Sequence, residues 1–228
     1  MAPVVVAPAV SFRRARVDAW VAKIAGRVAV ASRNARIRIT LRRIIRLHSK
    51  EGRRLDVRAV RAAVRNALSD PVAPRLLKPG RVAVVPRIRV KQLGKANPTI
   101  ITIDRAGFRL RLFKRLHLAK SYGVAVGMPA YPTPTGLYSI TSKQVNPTWT
   151  APNSPWAGEL AGQQVSGSDP TNPLKARWMG IVNGVGIHGT GMDWSIGTRA
   201  SHGCIRMHVS DVIDLFDRVP IGTPVLIR

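Results

Sequence analysis

Apolar and polar residues follow two different periods in the first ninety positions. Residues 17–28 carry valine or isoleucine every three or four positions, which predicts a helix. Residues 35–42 alternate arginine with isoleucine or leucine, the period of two that is typical of a strand. Residues 52–70 return to helical spacing, with Asp56 in the N-cap position, and 81–90 predict a further strand. This order of elements predicts a small α+β domain.

The pattern becomes mostly β in the second part of the chain. TIITI at 99–103 and FRLRLF at 108–113 flank the sequence DRAG, which predicts two strands joined in a hairpin by a short turn. Near the end, SDVIDLFDRV predicts a helix with Ser210 as its N-cap, and GTPVLIR predicts a closing strand. Loops rich in proline, asparagine, serine and glycine lie between the strands, the longest over 146–173. We expect a mainly β domain whose long loops line a binding site.

A linker is predicted at 90–99, where glycine, asparagine and proline occur together. The chain is therefore expected to form two domains, over 13–90 and 97–228. Its 228 residues, 45% of them apolar, are enough for buried cores. No apolar run reaches the length of a membrane span, and MAPVVVAPAV at the start makes a poor signal peptide because prolines interrupt it and no charge precedes it.

The positive charge is concentrated in the first part. The formal net charge is +26, and residues 1–96 hold 24 Lys and Arg against 4 Asp and Glu, while 97–228 hold 13 against 7. Such a field favours polyanions, namely nucleic acid, anionic lipid or an acidic cell-wall polymer. The alternative is that the arginines simply cover solvated faces.

The single cysteine, Cys204, lies in the sequence RASHGCIRMHVSD. One cysteine excludes an intramolecular disulfide. A thiol is a nucleophile only as the thiolate, so it needs a base or a positive field nearby. Three histidines occur within 21 residues around it, at 188, 202 and 208, and Gly203 permits a tight backbone path that exposes amide N–H groups. A nucleophilic cysteine is therefore one interpretation, and a buried small apolar residue is the other.

Other kinds of site fit less well. His188, His202, Cys204 and His208 are possible zinc ligands, but the usual spacing of structural zinc ligands is missing. A papain-like protease has its cysteine before its histidine, the reverse of the order here. Zinc-finger spacing and a ribonucleoprotein aromatic motif are also missing, so specific nucleic-acid recognition is not expected. Binding of a polyanion without sequence preference by the basic first part stays open.

Several motifs carry a family resemblance. IHGT at 187–190 is followed by SHGCIRM at 201–207, with sixteen positions from His188 to Cys204. Together with GMPAYPTPTGLYSIT at 127–141 and NPTWTAP at 146–152, this resembles the L,D-transpeptidase catalytic domain, also called YkuD. The resemblance covers about 97–228. It implies a β-sandwich-like fold with a short helix, and chemistry that uses no cofactor and no metal.

The resemblance also implies roles for individual residues. Cys204 is the expected nucleophile, and His188 the expected general base and acid. The carbonyl of Gly189 is expected to orient the imidazole, and the N–H groups of Gly203 and Cys204 to stabilise the oxyanion.

Three further residues are expected to contact the substrate or support the oxyanion, namely Ser201, His202 and Arg206. Arg206 adds positive charge near the thiol and is suited to hold a carboxylate. Its alternative role is a structural ion pair with an acidic residue such as Asp211.

The implied reaction is acyl transfer in cell-wall biogenesis. The thiol attacks a peptidoglycan stem tetrapeptide, D-alanine leaves, and an amine of a second stem completes a link between two diamino acids. With water as acceptor the enzyme is an L,D-carboxypeptidase. The family further implies acylation by carbapenems and, from the substrate, a location in the cell envelope. Anionic wall polymers are possible partners of the basic charge.

Residues 13–90 resemble more distantly a small peptidoglycan-binding module found beside some cell-wall enzymes. The resemblance rests on the stretch EGRRLDVRAVRAAVRNAL and the helix pattern before it. A generic packing domain is the alternative.

Overall fold

The computed structural model describes residues 11–70, 72–74 and 76–228. The start of the chain, weighed above as a signal peptide, and Pro71, at the end of the second predicted helix, lie outside the described residues. The described residues form four α-helices: Arg14–Val28 (α1), Val57–Ser69 (α2), Leu93–Ala96 (α3) and Val209–Arg218 (α4). They form seventeen strands: Arg36–Ile39 (β1), Ile44–Leu47 (β2), Gly52–Leu55 (β3), Arg81–Val84 (β4), Thr99–Asp104 (β5), Arg109–Lys114 (β6), His117–Gly123 (β7), Val126–Gly127 (β8), Gly136–Ser139 (β9), Ser142–Val145 (β10), Trp149–Thr150 (β11), Gln164–Val165 (β12), Lys175–Val182 (β13), Val185–Gly189 (β14), Arg199–Ser201 (β15), Ile205–Met207 (β16) and Pro224–Ile227 (β17). Short 3-10 helices occur at Val90–Gln92, Pro155–Leu160 and Asp193–Ser195.

The chain divides into two compact units. Of the described residues, the first unit contains those up to Arg36 and those within Leu47–Val90, and the second contains Ile37–Arg46 and Lys91–Arg228. The division near residue 90 lies where the sequence predicts a linker. The β1–β2 hairpin was expected in the first domain, over 13–90, but most of it belongs to the second unit.

The first unit packs two helices against a strand. Val17 and Val21 of α1, Leu55 of β3 and Val60 of α2 form its buried cluster. Strands β3 and β4 pair antiparallel. Asp56 caps α2 as predicted, and its carboxylate accepts a hydrogen bond of 3.0 Å from the N–H of Ala59.

Several details of this region differ from the predicted pattern. Val28 continues the helical stripe but is 42% exposed. It is the last residue of α1, and the buried residues of the helix, Val17 and Val21, lie further toward its start. Strand β4 ends at Val84, well short of residue 90. The predicted linker contains α3, and Leu93 of this helix is buried. The segment is therefore packed against the protein and is not an extended linker.

The second unit is a sandwich of two sheets. One sheet has the order β7-β6-β5-β17-β9 and the other β10-β13-β14-β16. The predicted hairpin is present, since β5 and β6 pair antiparallel. Alternate residues of both sheets point into one shared core, to which α4 adds Val212 and Leu215. The core side chains from the strands are Ile101, Ile103, Leu110, Leu112, Tyr122, Val126, Met179, Ile181, Ile187, Ile205, Met207, Val225 and Ile227. This is the mainly β fold with short helices that the resemblance implies.

The last helix begins two residues earlier than its sequence suggests. His208 is the N-cap of α4, without a side-chain capping bond, and Ser210 lies inside the first turn. The prediction of Ser210 as the N-cap is therefore wrong. The reason is that β16 ends at Met207, so the chain turns directly from the strand into the helix.

Candidate active site

Three neighbouring strands place the site residues on one face of the second sheet. In the register of β13, β14 and β16, His188 lies between Trp178 and Arg206. Ile205 pairs with Ile187 in parallel, so Cys204, just before β16, lies level with Gly186. Because side chains alternate across a strand, Cys204 and His188 share one face and are diagonal neighbours. Both line the same pocket.

His188 is 4% exposed, and its ring is fixed by the backbone. Nδ1 lies 2.8 Å from the carbonyl oxygen of Gly189, which can only accept, so Nδ1 carries the proton of the neutral ring. Nε2 is then the basic nitrogen. Desolvation lowers the pKa of His188 to about 4, helped by the positive charge of Arg206 and opposed by the Gly189 hydrogen bond. The imidazole is therefore neutral at physiological pH.

Cys204 is partly exposed, and its thiol is protonated at rest. Burial raises the pKa of the thiol, while a hydrogen bond from the Gly186 backbone and the charge of Arg206 act in the opposite direction. The thiol lies 3.7 Å from the carbonyl oxygen of Gly184. The positive field of Arg206 expected from the sequence is present, but desolvation outweighs it.

Hydrogen bonds hold the turn that precedes β16. Ser201 Oγ donates to the carbonyl oxygen of Cys204 at 2.5 Å and accepts from the N–H of Gly203 at 3.2 Å. Gly203 has a φ of +111°, a conformation that residues with a side chain rarely adopt. The Gly203 amide, expected to be an oxyanion donor, is thus bonded to Ser201. The Cys204 N–H has no hydrogen-bond acceptor among the residues that the structure describes.

Aromatic rings form one wall of the pocket, which encloses about 620 Å³. His202 stacks on Trp156, with ring centroids 4.0 Å apart and 9° between the planes, and meets the edge of Tyr131 at 5.1 Å. Trp149 stacks in turn on Trp156, with ring centroids 6.5 Å apart. These contacts tie the long loop of 146–173 to the turn that carries Cys204. Burial and Arg206 lower the pKa of His202, so this ring is neutral as well.

Arg206 is half-buried and lines the pocket. Its Nη1 lies 3.7 Å from the sulfur of Met192. The ion pairs within the described residues include neither Arg206 nor the alternative partner Asp211. Its charge is therefore available to an anionic ligand.

The histidines near Cys204 do not gather into a metal site. His208 Nδ1 lies 2.8 Å from an oxygen of Asp193, away from His188. Within 11–70, 72–74 and 76–228, no three His, Cys, Asp or Glu residues are placed to hold one ion. In the same part of the chain, no helix has the length and apolarity needed to cross a membrane.

Three residues of the site were not found from the sequence. Trp178 stacks against His188 at 6.1 Å, and Gly186 makes room for its ring, since a Cβ there would lie 2.6 Å from the indole. Thr133 donates a 2.8 Å hydrogen bond to the carbonyl of Gly203. The only signals for them were glycines in a strand and the TPTG motif, and neither identifies a contact between distant residues.

Comparison with known proteins places the second unit in a family. The family model described as the L,D-transpeptidase catalytic domain, YkuD, matches residues 98–227. YqjB of Bacillus subtilis, classed by name with the L,D-transpeptidases, is 41% identical over 112 residues, which are 46% of this chain and 57% of YqjB. YkuD of Bacillus licheniformis, classed by name in the same way, is 34% identical over 149 residues, which are 65% of this chain and 74% of that protein.

Solved structures show the same fold. An L,D-transpeptidase of Enterococcus faecium, in a C442S mutant, is 20% identical with a TM-score of 0.50, over 96% of this chain and 86% of that one. One from Mycobacterium smegmatis is 12% identical with a TM-score of 0.50, over 91% and 85%. Since the family model covers more than half of the 228 residues, this chain belongs to the L,D-transpeptidase catalytic domain family.

Proposed function

We propose that this protein is a cysteine-dependent L,D-transpeptidase that cross-links peptidoglycan in the cell envelope. The observation that carries the proposal is the placement of the only thiol of the chain and a neutral, buried imidazole on one sheet face in one pocket. A nucleophile, a base held by a third group, and a free backbone donor are the parts that acyl transfer needs.

In the first half-reaction, Cys204 attacks the carbonyl of the L-centre of a diamino acid in a stem tetrapeptide. His188 Nε2 takes the thiol proton as the bond from sulfur to carbon forms. The same nitrogen then gives that proton to the departing amine of D-alanine. A thioester on Cys204 is left.

Charge on the substrate is met by two groups. The Cys204 N–H, free of an acceptor in the described residues, donates to the oxyanion, and the Gly203 N–H joins it only if Ser201 releases it. Arg206 holds a carboxylate of the stem peptide, because its guanidinium lines the pocket and makes no ion pair among the described residues. His202, stacked on Trp156, shapes one wall of the cleft.

In the second half-reaction, a side-chain amine of another stem attacks the thioester. His188 accepts the proton of that amine and returns it to the sulfur as the thiolate leaves. The product is a bond between two diamino acids. If water replaces the amine, the product is a tripeptide, and the protein is an L,D-carboxypeptidase.

Purified protein incubated with disaccharide tetrapeptide tests this reaction by mass spectrometry. We expect loss of D-alanine and a cross-linked dimer, with neither product from Cys204→Ala. Tripeptide without dimer would establish the carboxypeptidase. No product from the wild type, together with no carbapenem adduct in its intact mass, would refute acyl transfer at Cys204. Any adduct is assigned at once, because the chain has one cysteine.

The first unit has a charge that suits a second task. We propose that residues 13–90 form a wall-binding module that attaches the catalytic domain of 97–228 to anionic cell-wall polymers. Arg53 and Arg54 of β3 and Arg81 of β4 are exposed, and the ion pairs of the described residues do not include them. A field of this sign attracts polymers that carry phosphate or carboxylate groups.

Co-sedimentation with cell-wall sacculi at low and high salt tests the attachment. We expect the full chain to bind sacculi that keep their anionic polymers and to dissociate from the sacculi at high salt. We expect weaker binding after Arg53, Arg54 and Arg81 are changed to Gln. The matched control changes the exposed Lys91, Lys95 and Arg228 of the second unit to Gln. An equal loss in both variants would mean that only total charge matters, and equal binding of DNA would point to a polyanion binder without wall preference.

A further inference from the structure

A buried hydroxyl joins two segments that are distant in the sequence. Thr133 is 1% exposed, and its Oγ1 accepts a hydrogen bond of 2.8 Å from the N–H of Gly127. It donates one of 2.8 Å to the carbonyl oxygen of Gly203, seventy positions along the chain. Gly127 ends β8, which pairs with β15 at Ser201. The hydroxyl therefore ties the end of one short strand to the turn that follows the other.

Only a glycine at 127 lets the Thr133 segment come this close. A Cβ there would lie 2.5 Å from the N atom of Thr133 and would also collide with the carbonyl oxygen of Tyr131. The hydroxyl uses its one proton on Gly203 and a lone pair on Gly127, so it has no proton to give to a substrate. Its action on the reaction has to pass through the backbone.

That backbone is the peptide unit between Gly203 and Cys204. A peptide unit is planar, and its C=O and N–H point in opposite directions. A hydrogen bond that fixes the Gly203 carbonyl therefore also fixes the direction of the Cys204 N–H. Ser201 Oγ holds the next carbonyl, that of Cys204, at 2.5 Å. Gly203, at a φ of +111°, has no Cβ to restrict its backbone, so hydrogen bonds have to fix the orientation of this unit.

We infer that Thr133 is a positioning residue that aims the Cys204 N–H at the oxyanion. This inference rests on the proposed acyl transfer. The Gly203 amide is bonded to Ser201, so the Cys204 amide is the donor left for the developing charge. Without the Thr133 hydroxyl, the peptide plane is free to rotate, and the Cys204 N–H no longer points at the oxyanion. An accepted hydrogen bond at the Gly203 oxygen also polarises the same amide, which strengthens it as a donor.

Thr133→Val tests the inference, because it keeps the shape of the side chain and removes the hydroxyl. For D-alanine release we expect kcat to fall about tenfold to a hundredfold, since loss of a whole oxyanion donor costs roughly a hundredfold to a thousandfold. We expect KM to change little and Thr133→Ser to restore most of kcat. The matched control is Thr135→Val in the same motif, which changes an exposed side chain.

Two further readouts separate the amide from the thiol. Alkylation of Cys204 by iodoacetamide forms no oxyanion, so its rate is expected to stay within about twofold in Thr133→Val, while acylation slows. Protein labelled with ¹⁵N-cysteine gives one backbone signal, because the chain has one cysteine, and this signal is expected to shift in Thr133→Val and return in Thr133→Ser.

The results that overturn the inference are distinct from failure of the proposed function. An inactive wild type refutes the function. An active wild type with unchanged kcat in Thr133→Val refutes the positioning role, as does an equal loss of acylation and alkylation. If Thr133→Val does not fold, Thr133→Ala takes its place, since the smaller side chain leaves space for a water between Gly127 and Gly203. Wild-type kcat in a Thr133→Ala protein whose cysteine signal has moved would then refute the inference.

Discussion

Cys204 and His188 lie in surroundings that oppose charge on either side chain. Burial raises the pKa of the thiol and lowers that of the imidazole to about 4. At neutral pH the pair is therefore a thiol and a neutral imidazole, not a thiolate and an imidazolium. The proton moves to His188 only as the sulfur attacks a bound carbonyl, so general-base catalysis is required in every turnover.

The pH dependence of kcat/KM follows from the His188 shift. A lowered pKa means that the ring stays in its basic form as the pH falls through 6.5, and is protonated only near pH 4. We expect kcat/KM for D-alanine release to be nearly flat from neutral pH down to about 5 and to fall below about 4. A pH–rate profile measured where the protein stays folded checks this.

Arg206→Gln serves as the control for this profile. Removing the positive charge takes away one cause of the lowered His188 pKa, so the acid limb is expected to move upward, while desolvation, the larger cause, keeps it below the ordinary value. A wild-type limb at 6.5 would show that His188 is not the desolvated base. KM for the stem peptide is expected to rise in this variant because its carboxylate loses a partner.

At the scale of single residues, the sequence predicted those parts of the site that are close along the chain. Cys204, Gly203 and Ser201 lie in one short motif, and His188 lies in a second motif at a fixed spacing. Thr133 was not predicted as part of the site, because its role depends on a hydrogen bond across seventy positions. The Ser201–Gly203 bond was also missed, since a backbone turn at positive φ decides it.

The strands β13 and β14 build the floor under the base from glycine and tryptophan. Gly180 lies opposite Gly186, and Trp178 lies opposite His188. The indole reaches over Gly186 and stacks near the imidazole, with ring centroids 6.1 Å apart. The absence of a side chain at Gly186 of β14 thus makes the space in which the Trp178 ring of β13 supports His188.

Gly186→Ala is expected to impair this support. The added Cβ would lie 2.6 Å from the Trp178 ring and 2.7 Å from the carbonyl oxygen of Met179, so both the indole and the backbone of β13 have to move. We expect kcat to fall about tenfold to a hundredfold from a displaced base, with the protein still folded. Kinetics with tryptophan fluorescence measure both effects.

The matched control is Gly191→Ala, three residues beyond His188. A Cβ at 191 would meet only the end of the Lys175 side chain, at 3.5 Å, which is ordinary contact. We expect near wild-type kinetics from it. Wild-type kinetics from Gly186→Ala as well would show that Trp178 does not hold the imidazole in place.

At the scale of elements, strong local patterns gave correct predictions and weak ones did not. The β5–β6 hairpin and the Asp56 cap of α2 were predicted because alternation and capping chemistry are local. The N-cap of α4 was misplaced by two residues, because the end of β16 sets where that helix starts. Leu93 was assigned to a linker, although tertiary burial gives its segment a helical turn.

At the scale of the whole molecule, a segment within the first ninety residues completes the second unit. The residues Ile37–Arg46 belong to that unit although parts of the first unit precede and follow them. The carbonyl of Leu41 accepts a 2.7 Å hydrogen bond from Thr102 of β5, and Arg46 lies 3.0 Å from the ring of His117. A contiguous pattern of hydrophobic positions cannot show such an exchange, since the contacts that decide it are about sixty to seventy positions apart.

The segment covers the face of β5 that points away from the core. Ile101 and Ile103 point inward, so Thr102, between them, points outward, yet it is 0% exposed. A fragment of 91–228 lacks the hairpin, so Thr102 is open to water and both Thr102 and His117 lose their hydrogen-bond partners. A second fragment, in which 37–46 is joined to 91–228 by a flexible linker, restores the cover and serves as its matched control.

We expect the fragment of 91–228 to unfold at a lower temperature than the fragment that keeps 37–46. Each hydrogen bond lost to water costs about 0.5 to 1.5 kcal/mol, so losing the Thr102–Leu41 and Arg46–His117 bonds corresponds to roughly 2 to 12 °C in a domain of this size. Thermal unfolding followed by circular dichroism measures the difference. Equal unfolding temperatures would mean that the hairpin only rests on β5, and that the boundary near residue 90 already defines a complete catalytic domain. A difference in this range would mean that the catalytic domain is discontinuous in the sequence. Its β1–β2 hairpin would then come from a segment that lies between two parts of the first unit.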